Sequence, residues 1–209
     1  MLNALGERFS PRAMSAIIHA NVNQDRLSGQ VGHDEFHFDN NAFDKSYTYI
    51  EEQRALTVTA LQKNDTLSAW SAFGRTTHTL QDFYAHSNYI TLWLASFDYS
   101  PRSGTERDGQ TPPPSSEIDP VDLTLIQHPD LHSGKVYYPF EILYFIRSAR
   151  EFSLRILPKN SHAWMNLDSP EQGSKFDYAM QAAIKRTVIE YEKTTSDFSG
   201  EMCRLFLDR

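Results

Sequence analysis

The stretch that most constrains this chain runs from Gly74 to Tyr89, GRTTHTLQDFYAHSNY. It sets His78, Asp82 and His86 four residues apart. On an α-helix, side chains at i, i+4 and i+8 share one face, with neighbouring Cβ atoms roughly 5–6 Å apart. Imidazole, carboxylate and imidazole then stack beside the apolar residues Leu80, Phe83 and Tyr84. A helix that only buried a face would carry leucine or isoleucine there. Three metal-ligand residue types at this step predict a metal site, with Asp82 able to bridge two ions. The plain structural reading is two partly buried histidines satisfied by hydrogen bonds to Asp82.

Such a trio cannot fill the shells of two or three ions, because a catalytic zinc takes about three protein ligands and keeps a water position. Further donors are expected from the polar segments. Residues 23–46 read as a loop rich in Asn, Asp and Gly, and offer Asp25 and His37; His33, Asp34, Glu35 and Asp39 compete, with His33 and Glu35 read as solvent-facing. Residues 159–170 offer His162 with Asn166 or Asp168. His19, inside an apolar run, is balanced between ligand and core residue, whereas His128 and His132 read as surface or structural. A lone cysteine, Cys203, leaves no intrachain disulfide and no thiolate site, so any metal is held by nitrogen and oxygen.

The rest reads as mainly α, a single multi-helix domain over 1–209 with long functional loops. Ser10-Pro11 opens a helix through Val22, with Ser as N-cap and Pro at the first helical position. Tyr47–Gln62 is a helix. Leu67 to about Phe97 is another, roughly 45 Å long if continuous, with a break expected between Ser87 and Ile90. Residues 98–120, rich in Pro, Gly, Ser and charge, are expected to be an exposed flexible loop. Short extended pieces are expected at 121–126 and 135–138, a helix at 139–156 and a last helix at 174–207. With 209 residues and 40% apolar composition the chain can bury a real core. Its net charge of -7 disfavours phosphate-driven nucleic-acid binding. No apolar run is long enough to span a bilayer and the N-terminus does not read as a signal peptide. The default location is cytoplasmic, with signal-independent export as the alternative. The aromatic series Tyr89, Trp93, Phe97, Tyr99 reads as core, or else as a lipid-facing wall.

HTLQDFYAHSNY resembles the signature of the heterokaryon-incompatibility (HET-C) family and, beyond it, the zinc-dependent phospholipase C and single-strand-specific zinc nuclease superfamily. The stretches Ala20–Asp25, His37–Asn40 and Ser161–Asp168 extend that likeness over about residues 15–190. The resemblance implies a helical phospholipase C-like fold with two or three zinc ions. His78, Asp82, Asp25 and His37 would hold the first; His86, His162 and Asp168 or Asn166 the second; His19 would serve the third. Zinc would activate water for phosphodiester hydrolysis, with Asp25 as the catalytic carboxylate that orients or deprotonates it. Phospholipid at a membrane surface is the expected substrate. A nuclease would need a basic groove, and Arg75, Arg102, Arg107, Arg147 and Arg150 form no stripe. A toxin-like module with structural metal is the non-enzymatic alternative.

Overall fold

Serine caps set the starts of three helices in the computed structural model, which describes residues 1–30, 32–97, 111–120, 128–146 and 148–209. Helix α2 (Pro11–Val22) starts where the Ser10 side chain accepts from the Ala13 amide. It follows α1 (Leu2–Leu5). A 3-10 turn at Asn23–Asp25, α3 (Leu27–Gln30), α4 (Asp34–His37) and a second 3-10 turn at Asp39–Asn41 come next. Residues 23–46 are thus a chain of short helical turns rather than a plain loop, and α5 (Phe43–Gln62) already begins within them. Short-range Asn and Asp chemistry makes turns as readily as loops, so composition alone hid them.

Helix α6 (Thr66–His86) carries the central stretch. The expected break falls at Ser87-Asn88, and α7 (Tyr89–Ala95) follows. Two expected helices prove to be broken. Residues 139–156 contain α8 (Ile142–Phe145) and α9 (Arg150–Ile156). Beyond α10 (His162–Met165), the C-terminal stretch divides into α11 (Lys175–Thr195) and α12 (Gly200–Leu207). Ser199 caps α12 by accepting from the Met202 amide, so a fresh start replaces the continuous apolar stripe. The fold is mainly α. Among the described residues the only extended pairings are isolated bridges, Ser87 with Ser133 and Lys135 with Ser161, the latter at the expected 135–138 piece. The extended piece expected at 121–126, and residues 98–110 of the expected loop, lie outside the described residues.

The chain divides into two compact units. The first comprises Met1–Asp82 and Ala183–Arg209. Its core joins Phe9, Ile17, Leu61, Trp70, Phe73 and Phe206. Phe206 meets Phe9 and Phe73 edge-on at 5.1 and 5.2 Å between ring centroids, and the Trp70 indole donates to its carbonyl at 2.8 Å. A charged tie runs beside this core: Arg54 grips fully buried Glu190 through two bonds of 2.6 and 2.5 Å. Two parallel charge-assisted bonds are the geometry that best compensates a carboxylate taken out of water.

The second unit spans Phe83–Ala182. Phe83, Tyr84, Tyr89 and Trp93 are buried in it, which makes the first half of the aromatic series core, while Phe97 is exposed and Tyr99 lies outside the described residues. The Tyr89 hydroxyl donates to the Asp119 carbonyl at 2.5 Å, the polar handle a buried tyrosine needs. A smaller cluster gathers Tyr144, Leu157 and Ala163.

Candidate metal centre

Four segments of the first unit converge on one cluster of ligand atoms. Asp25 comes from the 3-10 turn that ends α2. Its neighbour Gln24, buried, bonds the Tyr49 hydroxyl of α5 at 3.2 Å and so fixes the turn. The same burial raises the Tyr49 phenol above its ordinary pKa. His37 is the last residue of α4, and Phe38 leaves that helix at φ 56°, a left-handed conformation uncommon for a bulky residue. Packing over-determines it: Phe38 is fully buried against Phe43 and Tyr47. His78 and Asp82 stand one turn apart on α6.

The distances among these donors are short. His37 Nδ1 lies 2.8 Å from Asp82 Oδ2 and 3.2 Å from His78 Nε2. His78 Nε2 lies 3.0 Å from Asp82 Oδ2 and 3.6 Å from Asp25 Oδ1. The first three atoms form a triangle. Each ring nitrogen carries at most one proton and an ionised carboxylate none, so two protons must serve three edges. If both point at Asp82, the two nitrogens face each other at 3.2 Å with no attraction between them. A single cation bound to all three atoms removes that conflict. Donors about 2.05 Å from a tetrahedral zinc are ~3.4 Å apart, so the edges of 2.8, 3.0 and 3.2 Å would open slightly around an ion, with Asp25 already at 3.6 Å from His78. His37, His78 and Asp82 are buried, and Asp25 keeps a side chain 54% exposed.

A layer behind the cluster holds α6 in place. Asn21 of α2 donates to Thr77 Oγ1 at 3.3 Å and to Gln81 Oε1 at 3.1 Å, and Gln81 donates in turn to Thr187 at 2.9 Å. Close contact needs Gly74: a Cβ there would sit 2.4 Å from the Ile17 carbonyl oxygen and 2.9 Å from the Ala20 Cβ. Asn21 is thus a bracing residue, a role its place in an apolar helix did not disclose.

In the second unit, His86 and His162 bring their rings to 4.2 Å between centroids, both buried. Asp168 Oδ2 lies 3.3 Å from His86 Nε2. Asn166 turns its side-chain oxygen to the Asp168 amide at 2.7 Å, so of the two alternatives it is Asp168 that faces the histidine. Buried Glu141 anchors this end by accepting from the Ala163 amide at 2.6 Å and the Tyr137 amide at 3.3 Å. Its partner amide at Ala163 is 22 residues away, out of reach of any local pattern.

The remaining candidates fall elsewhere. His19 is exposed on α2, outside the donor cluster of the first unit. His33 pairs with Glu35 at 3.0 Å and stacks on Phe36. Asp34 accepts from Asn40 at 2.8 Å. His128 and His132 make exposed loop bonds around Asp130.

Comparison with known proteins overturns the resemblance drawn from the motif. The VWA7 N-terminal domain family model matches residues 3–97. Von Willebrand factor A domain-containing protein 7 of Rattus norvegicus is 32% identical over 91 residues, 42% of this chain. That match spans 10% of the relative's length. No solved structure matches at a significant level. The likeness is therefore to VWA7, not to the HET-C family or the phospholipase C and zinc nuclease superfamily. The physical reason is that a four-residue step of ligands marks one face of any metal-binding helix, whatever its ancestry. The matched segment contains Asp25, His37, His78 and Asp82, so the complete quartet lies within the VWA7-like part of the chain.

Proposed function

We propose that Asp25, His37, His78 and Asp82 form a divalent-metal centre of the zinc type, and that the chain is a metal-dependent phosphodiester hydrolase. The observation that carries this reading is the set of four mutually close donors with one exposed member. Two imidazoles suit zinc, and two carboxylates offset the charge of a divalent ion in a partly buried site. Such an ion lowers the pKa of a bound water toward ~7 and polarises a phosphoryl oxygen. The protein residues divide the remaining tasks. His37, His78 and Asp82 hold their donor atoms away from solvent, and the Gln24–Tyr49 bond keeps the Asp25 turn in register. Asp25, facing water, orients the attacking water and accepts its proton. In the second unit His86 and His162 offer two further donors, with Asp168 3.3 Å from His86.

Phospholipid is the proposed substrate. In the second unit Phe140, Phe152, Ile156 and Trp164 are exposed, with Arg155 and Lys159 among them in sequence. Exposed aromatics mixed with cations favour a bilayer interface, and the overall charge of -7 disfavours a polynucleotide. The burial of three of the four quartet donors favours one other reading, a closed structural metal site. Zinc analysis, with hydrolysis of bis(p-nitrophenyl) phosphate, phosphatidylcholine and single-stranded DNA, tests the proposal. The expected result is at least one zinc per chain, lipid turnover, and an Asp25→Asn variant that stays loaded in excess zinc yet loses turnover. Bound zinc without turnover on any substrate supports the structural reading, and absence of zinc removes the centre altogether.

A further inference from the structure

A cavity of about 930 Å³ opens in the first unit between α1 and α2. Leu2, Ile18 and Val22 give it an apolar wall, while His19, Asp25 and Arg26 line it too. The volume is in the range of small-molecule sites. Two features separate it from an ordinary surface dent. Leu2 and Val22 are 65% and 58% exposed, so large apolar side chains stand in water where a soluble face would place polar ones. Asp25 belongs at once to this cavity and to the metal quartet, with its Oδ1 3.6 Å from His78 Nε2.

We infer that this cavity is the subsite for the hydrocarbon chain of a single-chain phosphate amphiphile. The inference rests on the metal-centre reading above for the position of the phosphate, and it assigns a role to residues which that reading leaves unused. Ile18 and Val22, one turn apart on α2, present a continuous apolar strip to an alkyl chain. Arg26 supplies the fixed positive charge that complements a phosphate, and His19 a second nitrogen donor on the same lining. Because Asp25 belongs both to the lining and to the quartet, a chain lying along the strip can carry its headgroup to the metal donors. His19, exposed and apart from the quartet, is thereby a headgroup contact and not a metal ligand.

Calorimetric titration of the zinc-loaded full chain with inorganic phosphate, octyl phosphate and dodecyl phosphate below their micellar concentrations tests the assignment. Four added methylenes entering an apolar groove should tighten binding at least about 10-fold, so dodecyl phosphate should bind most tightly and inorganic phosphate least. Val22→Glu and Leu2→Glu, both at exposed positions, should erase that chain-length dependence with zinc content and helical signal unchanged. Arg26→Gln should weaken dodecyl phosphate about 10-fold while the octyl-to-dodecyl ratio persists. Equal affinity for phosphate and dodecyl phosphate overturns the inference, as does a chain-length dependence that survives Val22→Glu. If the chain binds no zinc but retains a Val22-sensitive chain-length dependence, the metal centre fails and the groove stands. Zinc binding without chain-length dependence overturns the groove and leaves the metal centre standing.

Discussion

The donor cluster of the first unit and the donor group of the second are built from the same residue types but differ in charge and in support. The first has two histidines and two carboxylates, Asp25 and Asp82, with Asp82 buried beside both rings. Within its own unit the second has two buried histidines and a single carboxylate, Asp168, whose side chain is 52% exposed. A buried carboxylate lowers the electrostatic cost of placing a divalent ion away from water, because it supplies the opposing charge at contact distance. Similar ligand inventories therefore need not give similar sites. Counting only the donors of its own unit, the first cluster carries the greater opposing charge.

The largest expected effect breaks this comparison at its charged centre. Asp82→Asn removes the shared vertex of the triangle and should weaken zinc binding to the quartet by about 100-fold or more in a chelator-competition titration. His86→Ala should leave that affinity within about 3-fold, since His86 contributes no donor to the quartet. If His86→Ala costs as much affinity as Asp82→Asn, the quartet is not the complete donor set of that ion.

A middle-sized effect comes from the close approaches behind each cluster. Gly74→Ala pushes a methyl against the Ile17 carbonyl, and Gly134→Ala pushes one to 2.6 Å from the His162 Cα. Each should cost roughly 1–3 kcal/mol of stability in denaturant unfolding, the usual penalty of overpacking. Only Gly74→Ala should also loosen zinc at the quartet. Zinc loss in Gly134→Ala of equal size would show that the first cluster depends on the His162 backbone.

The smallest effect is a pH dependence confined to the first unit. Burial pushes the Tyr47 phenol up to about 12. The folded state therefore holds this proton over a range where the unfolded chain, with a phenol near ~10, releases it. The contribution is complete below about pH 10 and disappears as pH rises through about 12. At about pH 11, Tyr47→Phe should spare the protein about 1 kcal/mol of alkaline destabilisation relative to wild type, measured against each protein at neutral pH. An identical alkaline loss in the variant would mean that Tyr47 is not held as described.

Much of the candidate site was legible in the sequence. The four-residue step from His78 to Asp82 is a helical property, and α6 forms from its own sequence. Asp25 and His37 were legible as ligand types in a polar segment, and the structure places both within reach of His78 or Asp82. The bracing residues Gln24, Asn21, Gln81 and Glu141 were not legible, because each bonds a partner distant in sequence and its local context is an ordinary helix or turn. The family resemblance failed for the complementary reason: the motif records helix periodicity and ligand chemistry, and these constrain a site more than an ancestry.

By itself, the sequence determined the mainly helical class, the Ser10-Pro11 start of α2, the break after Ser87 and the ligand face of α6. These depend on capping, backbone preference and a period of 3.6, all of which act over a few residues. Only the tertiary structure decided that Asp25 and His37 converge on His78 and Asp82, that His19 lies on a cavity wall, and that Asp168 rather than Asn166 faces His86. Those outcomes depend on packing between segments far apart in the chain. Gly74 lets α2 approach α6, and buried Phe38 forces the turn that aims His37.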